Sequence, residues 1–229
     1  MAQNRFLVVG LALAWLLCIE PSAFAQCGGT ERWPVKVAAD PEAGSVDLSN
    51  RLLTTLADLV HFKRPQLPSD DETRLPEERT VRIVDGRLVK FKLESGKTGD
   101  RDYHLVISDD TLQFSAGGTN TSPSPHSFVA EVADTDCIGG RDGDPNARSR
   151  FQDQLAAVRR AFDQQFPTIT GGWNDAEGIP VRITGVSFFD RQHGQVGRAL
   201  NGMEIHPVLE IVFNSAATKA AKSFLFCAA

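Results

Sequence analysis

The sequence predicts a mainly β fold with one helix, of the α+β class: a five-stranded OB-like barrel in the chain order βββ-α-ββ, with an N-terminal wrapping arm. Three observations lead there. Alternating apolar segments separated by turn residues mark three strands, an apolar spacing of three and four marks a helix after them, and two further alternating segments complete the order. A β-sandwich-like sheet with one helix packed across it satisfies the same element order.

The first strand is "TVRIVDGRLVKFKLES", with Val81, Ile83, Leu88, Val89, Phe91 and Leu93 apolar and a bend or bulge expected at Asp85 and Gly86. The polar turn "GKTGD" leads to "RDYHLVISDD", where Tyr103, Leu105 and Ile107 alternate and face inward. "SFVAEVAD", residues 127 to 134, completes a meander. Asp144 as cap and Pro145 in the first turn open the helix, Phe151, Leu155, Val158, Phe162 and Phe166 recur along one face, and Pro167 ends it. "IPVRITGVSFFD" and "MEIHPVLEIVF" are the last two strands.

Upstream, Arg5 precedes an apolar run from Phe6 to Ile19 that ends in Pro21 and the small-residue pattern Ala23, Phe24, Ala25, so residues 1–25 read as a secretory signal peptide. The run is shorter than the roughly 18 to 20 residues of a spanning helix, and no later stretch approaches that length. The expectation is a periplasmic or secreted protein with no integral membrane segment after cleavage. Residues 26–79 form an irregular arm broken by Pro34, Pro41, Pro65, Pro68 and Pro76, with a short helix around Leu52 to Val60. Residues 80–214 are the barrel domain and 215–229 a tail. Cys27, Cys137 and Cys227 remain after cleavage, and an oxidising compartment favours one disulfide among three pairings, with Cys27–Cys137 preferred because it pins the arm to the domain.

A formal net charge of −5 argues against general nucleic-acid coating, which relies on neutralising phosphates. Phosphate loops, nucleophile elbows, H-E-x-x-H and dinucleotide fingerprints are absent from the sequence. The polar candidates are Asp102 and His104 with Asp100 nearby, then Asp190, His193 and Asn201 between the last two strands, and Glu204 and His206 on the last strand. Carboxylates with imidazoles are the donors of a divalent metal, and each x-spaced pair shares a strand face. No catalytic residue and no metal ligand is fixed by this pattern. In the expected barrel the second and fifth strands are separated by one strand, roughly 10 Å, which works against a shared site.

Along the last strand, Met203, Ile205, Pro207, Leu209 and Ile211 are expected inside, and Glu204, His206, Val208 and Val212 outside. So apolar an outer row needs a cover. The arm segment "ERWPVKV" supplies one, with Trp33 and Val35 as filler and Arg32 or Lys36 as partner for Glu204. The loop bearing His193 and Asn201 is where OB-folds often bind ligands. Two functions fit these residues: a non-enzymatic binding module for an extracellular polymer or protein partner, or a metal-dependent hydrolase, for instance a nuclease, using the Asp, Glu and His groups. A ββα-metal nuclease needs a helix after its hairpin, where a strand is expected here.

The segments "CGGTERWPVK", "DYHLVISD", "TGVSFFDRQHGQ" and "NGMEIHPVLEI" resemble a family of uncharacterised exported bacterial proteins with C-G-x-E-R-W-x-V-K, D-Y-H-L-V, F-F-D-x-x-H-G-Q and N-G-I-E-L-H-P-V type motifs. The resemblance runs from Cys27 to about Phe213, with Leu200 where the family has proline. It implies export and the extent of the domain, and assigns no activity.

Overall fold

A computed structural model describes residues 32–69, 72–94, 100–109, 121–138, 148–191 and 193–214. The expected signal peptide, residues 215–229, Cys27 and Cys227 lie outside these residues, and so does the predicted Cys27–Cys137 pairing; Cys137 itself is fully buried. The fold is a mostly β, mixed-sheet α+β structure. Its strands are β1 (Arg51–Leu53), β2 (Val81–Leu93), β3 (Tyr103–Ser108), β4 (Ser127–Val132), β5 (Asn174–Phe189) and β6 (Met203–Phe213). The helices are α1 (Trp33–Lys36), α2 (Leu56–His61) and α3 (Gln152–Gln165).

The sheet has six strands rather than the five predicted, in the order β1-β2-β3-β4-β6-β5, and β2 also pairs with β5. The sixth is β1, parallel to the start of β2, where the sequence suggested helix from Leu52. That helix instead begins at Leu56, because the Thr55 side chain accepts the Asp58 N–H and caps it there. The meander β2-β3-β4 is antiparallel as expected, and β4 meets β6 in parallel.

β2 runs unbroken through Asp85 and Gly86, contrary to the expected bend. The irregularity falls between Leu88 and Lys90. A bulge adds one residue to the strand, so the inward positions pass from Val84 and Leu88 to Phe91. Gly86 serves a different purpose: a Cβ there would sit 2.6 Å from the Ile107 side chain and 3.0 Å from the Ser108 carbonyl oxygen.

The same effect corrects the reading of β6. Met203 and Ile205 face the main core together with Val208 and Ile211, while Leu209 turns to the opposite side. Pro207 has no N–H to give the ladder, and the β5–β6 register slips on either side of Gly185. A slip reverses the facing of the residues beyond it, so Val208 lies inside and Leu209 packs with Trp33. Val212 stays partly exposed.

Two apolar clusters hold the chain. The main one fills the space between the sheet and α3, where Phe162 meets Phe91 edge-on at 5.0 Å. The second joins the arm to the sheet and the start of α3 through Trp33, Val37, Phe151, Leu155, Val186 and Leu209. Leu155, Val158 and Phe162 keep the predicted helical spacing. The predicted cap, Asp144 and Pro145, lies outside the described residues; α3 starts at Gln152, and the Ser149 hydroxyl accepts the Phe151 N–H just before it. Two buried ion pairs fasten the arm, Arg32 to Glu78 at 2.6 Å and Arg74 to Asp40. Among the described residues no helix is long and apolar enough to cross a membrane.

Gly185 marks the tightest approach of β5 to β6, where a Cβ would overlap Ile205 and the Pro207 carbonyl. Gly185→Ala is expected to cost about 1–3 kcal/mol by overpacking. Gly171→Ala, with nothing within 4 Å of the new Cβ, is the control and is expected to be near neutral. Urea unfolding of both variants decides whether this contact sets the β5–β6 slip.

Candidate functional site: a buried polar layer under the arm

The inward row of β3 is Tyr103, Leu105 and Ile107, so Asp102 and His104 lie on the other face, as predicted. That face is not solvated. Asp102 is 0% exposed and His104 1%; the Trp173 ring and the Val196 carbonyl lie against His104, and the Asp134 N–H against Asp102. On β4 the inward residues are Phe128, Ala130 and Val132, which places Glu131 on the covered face, opposite His104. β6 contributes Glu204 opposite Val129 in the parallel pair, and His206 two residues further along the same face. Glu131 therefore sits between the two strands that sequence reasoning judged too far apart. It closes the gap, and it is the functional-site candidate that the sequence reading missed. Its signal was a lone acid in a strand otherwise buried on both faces, "SFVAEV".

Distances define the centre. Glu131 Oε1 lies 3.1 Å from His104 Nδ1, and Glu131 Oε2 lies 3.0 Å from His206 Nδ1. His206 Nε2 lies 3.2 Å from Asp102 Oδ2. The other Asp102 oxygen accepts the Asp134 N–H at 2.8 Å, and His104 Nε2 lies 2.9 Å from the Val196 carbonyl. Lys36 enters from α1, with Nζ 3.7 Å from Asp190 Oδ1 and 5.5 Å from the centre of the Phe188 ring. Phe188 is fully buried, with Arg32 over its ring.

Burial and charge act against each other here. Burial disfavours the imidazolium of His206, but the Glu131 and Asp102 carboxylates outweigh it and raise its pKa to about 10. Burial, then the charge of Asp100, pushes Asp102 up to about 7. Glu131 is held well below the usual carboxylate range: burial opposes its charge, yet His206, His104 and Lys36 prevail. Glu204 goes the other way, raised well above that range by burial and by the neighbouring Asp190 and Glu131. Lys36 keeps its charge despite burial because Asp190, Glu131, Glu204 and Asp100 surround it.

Of the two partners expected for Glu204, Arg32 and Lys36, it is the second that lies near it. Arg32 serves Glu78, and it is Lys36 that faces the acids. Neither oxygen of Glu204 nor of Asp190 has an aligned hydrogen-bond partner among the described residues. His193 and Asn201 do not join the centre. His193 is half exposed on the rim, 3.4 Å from Asp190. Asn201 is structural: its amide donates to the Leu59 and Phe62 carbonyls and its oxygen accepts the Met203 N–H, locking α2 to β6. The chain matches no protein-family model and no curated protein.

Removing Lys36 leaves Asp190 and Glu131 buried without it. Lys36→Met is expected to cost about 3–5 kcal/mol, the range for breaking a buried ion pair. Lys36→Met combined with Asp190→Asn should cost clearly less than the two single changes summed. Additive losses in chemical denaturation would show that Lys36 does not neutralise Asp190.

Proposed function

We propose that this is an exported, non-enzymatic binding module: an OB-like barrel of residues 80–214, wrapped by an arm of residues 26–79, that engages a protein partner. Pairing of β2 with both β3 and β5, and the parallel β4–β6 contact after a helix, support the barrel reading. The pattern of residues 1–25 supports export, to the periplasm or beyond.

The observation that carries the non-enzymatic reading is the sealing of the polar layer. Asp102, Glu131, Glu204 and His206 are the groups a hydrolase would use, and the most accessible of them is 3% exposed. A polymer cannot reach groups so deeply buried, and general acid–base chemistry requires hydrogen-bond reach to the substrate. The four segments that carry the family resemblance converge on this layer through Lys36, His104, Asp190, Glu204 and His206, which supports a shared architectural role for it.

The open surface lies elsewhere. Leu53 is 72% exposed and Leu52 44%, and they border a groove of ≈ 520 Å³ with Phe62, His61 and Arg82. β1 pairs with β2 alone among the described strands, so its other edge offers backbone groups to an added strand. Exposed leucines beside a strand edge suit an extended peptide segment of a partner.

Two experiments test this. The mature chain is expected to leave DNA and RNA intact with Mg²⁺, Mn²⁺ or Zn²⁺; cleavage that His206→Ala abolishes would establish the hydrolase instead. A photo-crosslinking residue at position 53, in the cells that export the protein, is expected to give a discrete protein adduct that the same residue at Val212 does not. An identical adduct pattern from both positions, or none from 53, contradicts the groove as the binding face.

A further inference from the structure

We propose that Asp102, Glu131 and His206 form a divalent metal site of the zinc class, held between the sheet and the arm. The proposal is independent of the partner groove.

The three side chains come from β4, β6 and the residue just before β3, on the covered face, and one donor atom from each lies within 4.8 Å of the others. Two carboxylate oxygens and an imidazole nitrogen are a donor set that zinc and its neighbours accept. The contacts within the set are close but misaligned. Asp102 Oδ2 and both ring nitrogens of His206 are sealed from solvent, 3.0 and 3.2 Å from their neighbours, and none of them makes an aligned hydrogen bond. Buried polar atoms are rarely left so. An imidazole gives one nitrogen to one ion, so the donor is either Nε2, 3.2 Å from Asp102 Oδ2, or Nδ1, 3.0 Å from Glu131 Oε2, and both spacings are near the roughly 3.3 Å between neighbouring donors of a tetrahedral shell with bonds of about 2.0–2.2 Å.

The outer atoms of the set are anchored. Asp102 Oδ1 takes the Asp134 N–H, and Glu131 Oε1 faces His104, whose other nitrogen rests against the Val196 carbonyl. Such outer contacts orient metal ligands. The layer also holds Asp190 and Glu204, whose buried oxygens lack aligned partners among the described residues. Because the arm covers the centre, loading belongs to folding, when the arm closes over the sheet.

The test uses the exported full-length mature chain, purified without chelating resin. Elemental analysis is expected to find about one zinc-class ion per chain. After unfolding in chelator, refolding with Zn²⁺ is expected to give a higher melting temperature than refolding without metal. Asp102→Asn, a near-isosteric change, is expected to weaken Zn²⁺ binding at least tenfold; should that variant fail to fold, the metal content and refolding of the wild type decide. The proposal is overturned if the wild type carries no stoichiometric metal and refolds to the same melting temperature with Zn²⁺, Mn²⁺, Mg²⁺, Ca²⁺ or none. It is equally overturned if nitrogen NMR shows both His206 ring nitrogens protonated in protein refolded with excess Zn²⁺.

Discussion

Burying acids on the outer face of a sheet is the constraint on which the rest of this molecule depends. Asp100, Asp102, Glu131, Asp190 and Glu204 share one layer between the strands and the N-terminal arm. An isolated ionised carboxylate costs several kcal/mol to bury, so each must be paired, protonated or given a cation. His206 lies between Glu131 and Asp102, Lys36 faces Asp190 and Glu131, and Glu204 is driven toward its neutral form. The arm is therefore no appendage. Its α1 carries the cation, its Trp33 fills the apolar space over Leu209, and Arg32–Glu78 and Arg74–Asp40 fix its path.

This arrangement separates two surfaces with opposite character. The polar layer is buried, whereas the β1 edge has exposed leucines and an open groove. Within the layer, the acids and imidazoles are spaced for a cation and its outer contacts.

Local patterns in the sequence carried the elements well where the period was uninterrupted. Leu155, Val158 and Phe162 define α3, and Tyr103, Leu105 and Ile107 define the inner face of β3. The order of three strands, helix and two strands was legible for the same reason. Facing failed where a single residue broke the count. Pro207 and the slip at Gly185 turned Val208 inward and Leu209 toward Trp33, and an extra residue near Val89 did the same in β2. β1 was missed because Arg51–Leu53 gains its strand partners only from residues 81–83, some thirty positions away. For the candidate site, the shared facing of Glu204 and His206 was readable from the alternation at the start of β6, but Val208 and Val212, from which a cover was expected, do not lie on the covered face: Val208 is in the main core and Val212 is partly exposed. Glu131 was not readable, because its relation to His206 depends on the parallel β4–β6 pairing, and nothing local in "SFVAEV" announces which strand will lie beside it.

The central claim is that the arm seals the polar layer, and amide hydrogen exchange of Trp33→Ala against the wild type tests it most directly. In the wild type, amides of residues 129–131 and 204–206 should exchange only through global unfolding, as slowly as the β2–β3 ladder. In Trp33→Ala, those amides should exchange faster by one to two orders of magnitude than the β2–β3 ladder of the same variant. Equal protection of both ladders in the variant would contradict the account.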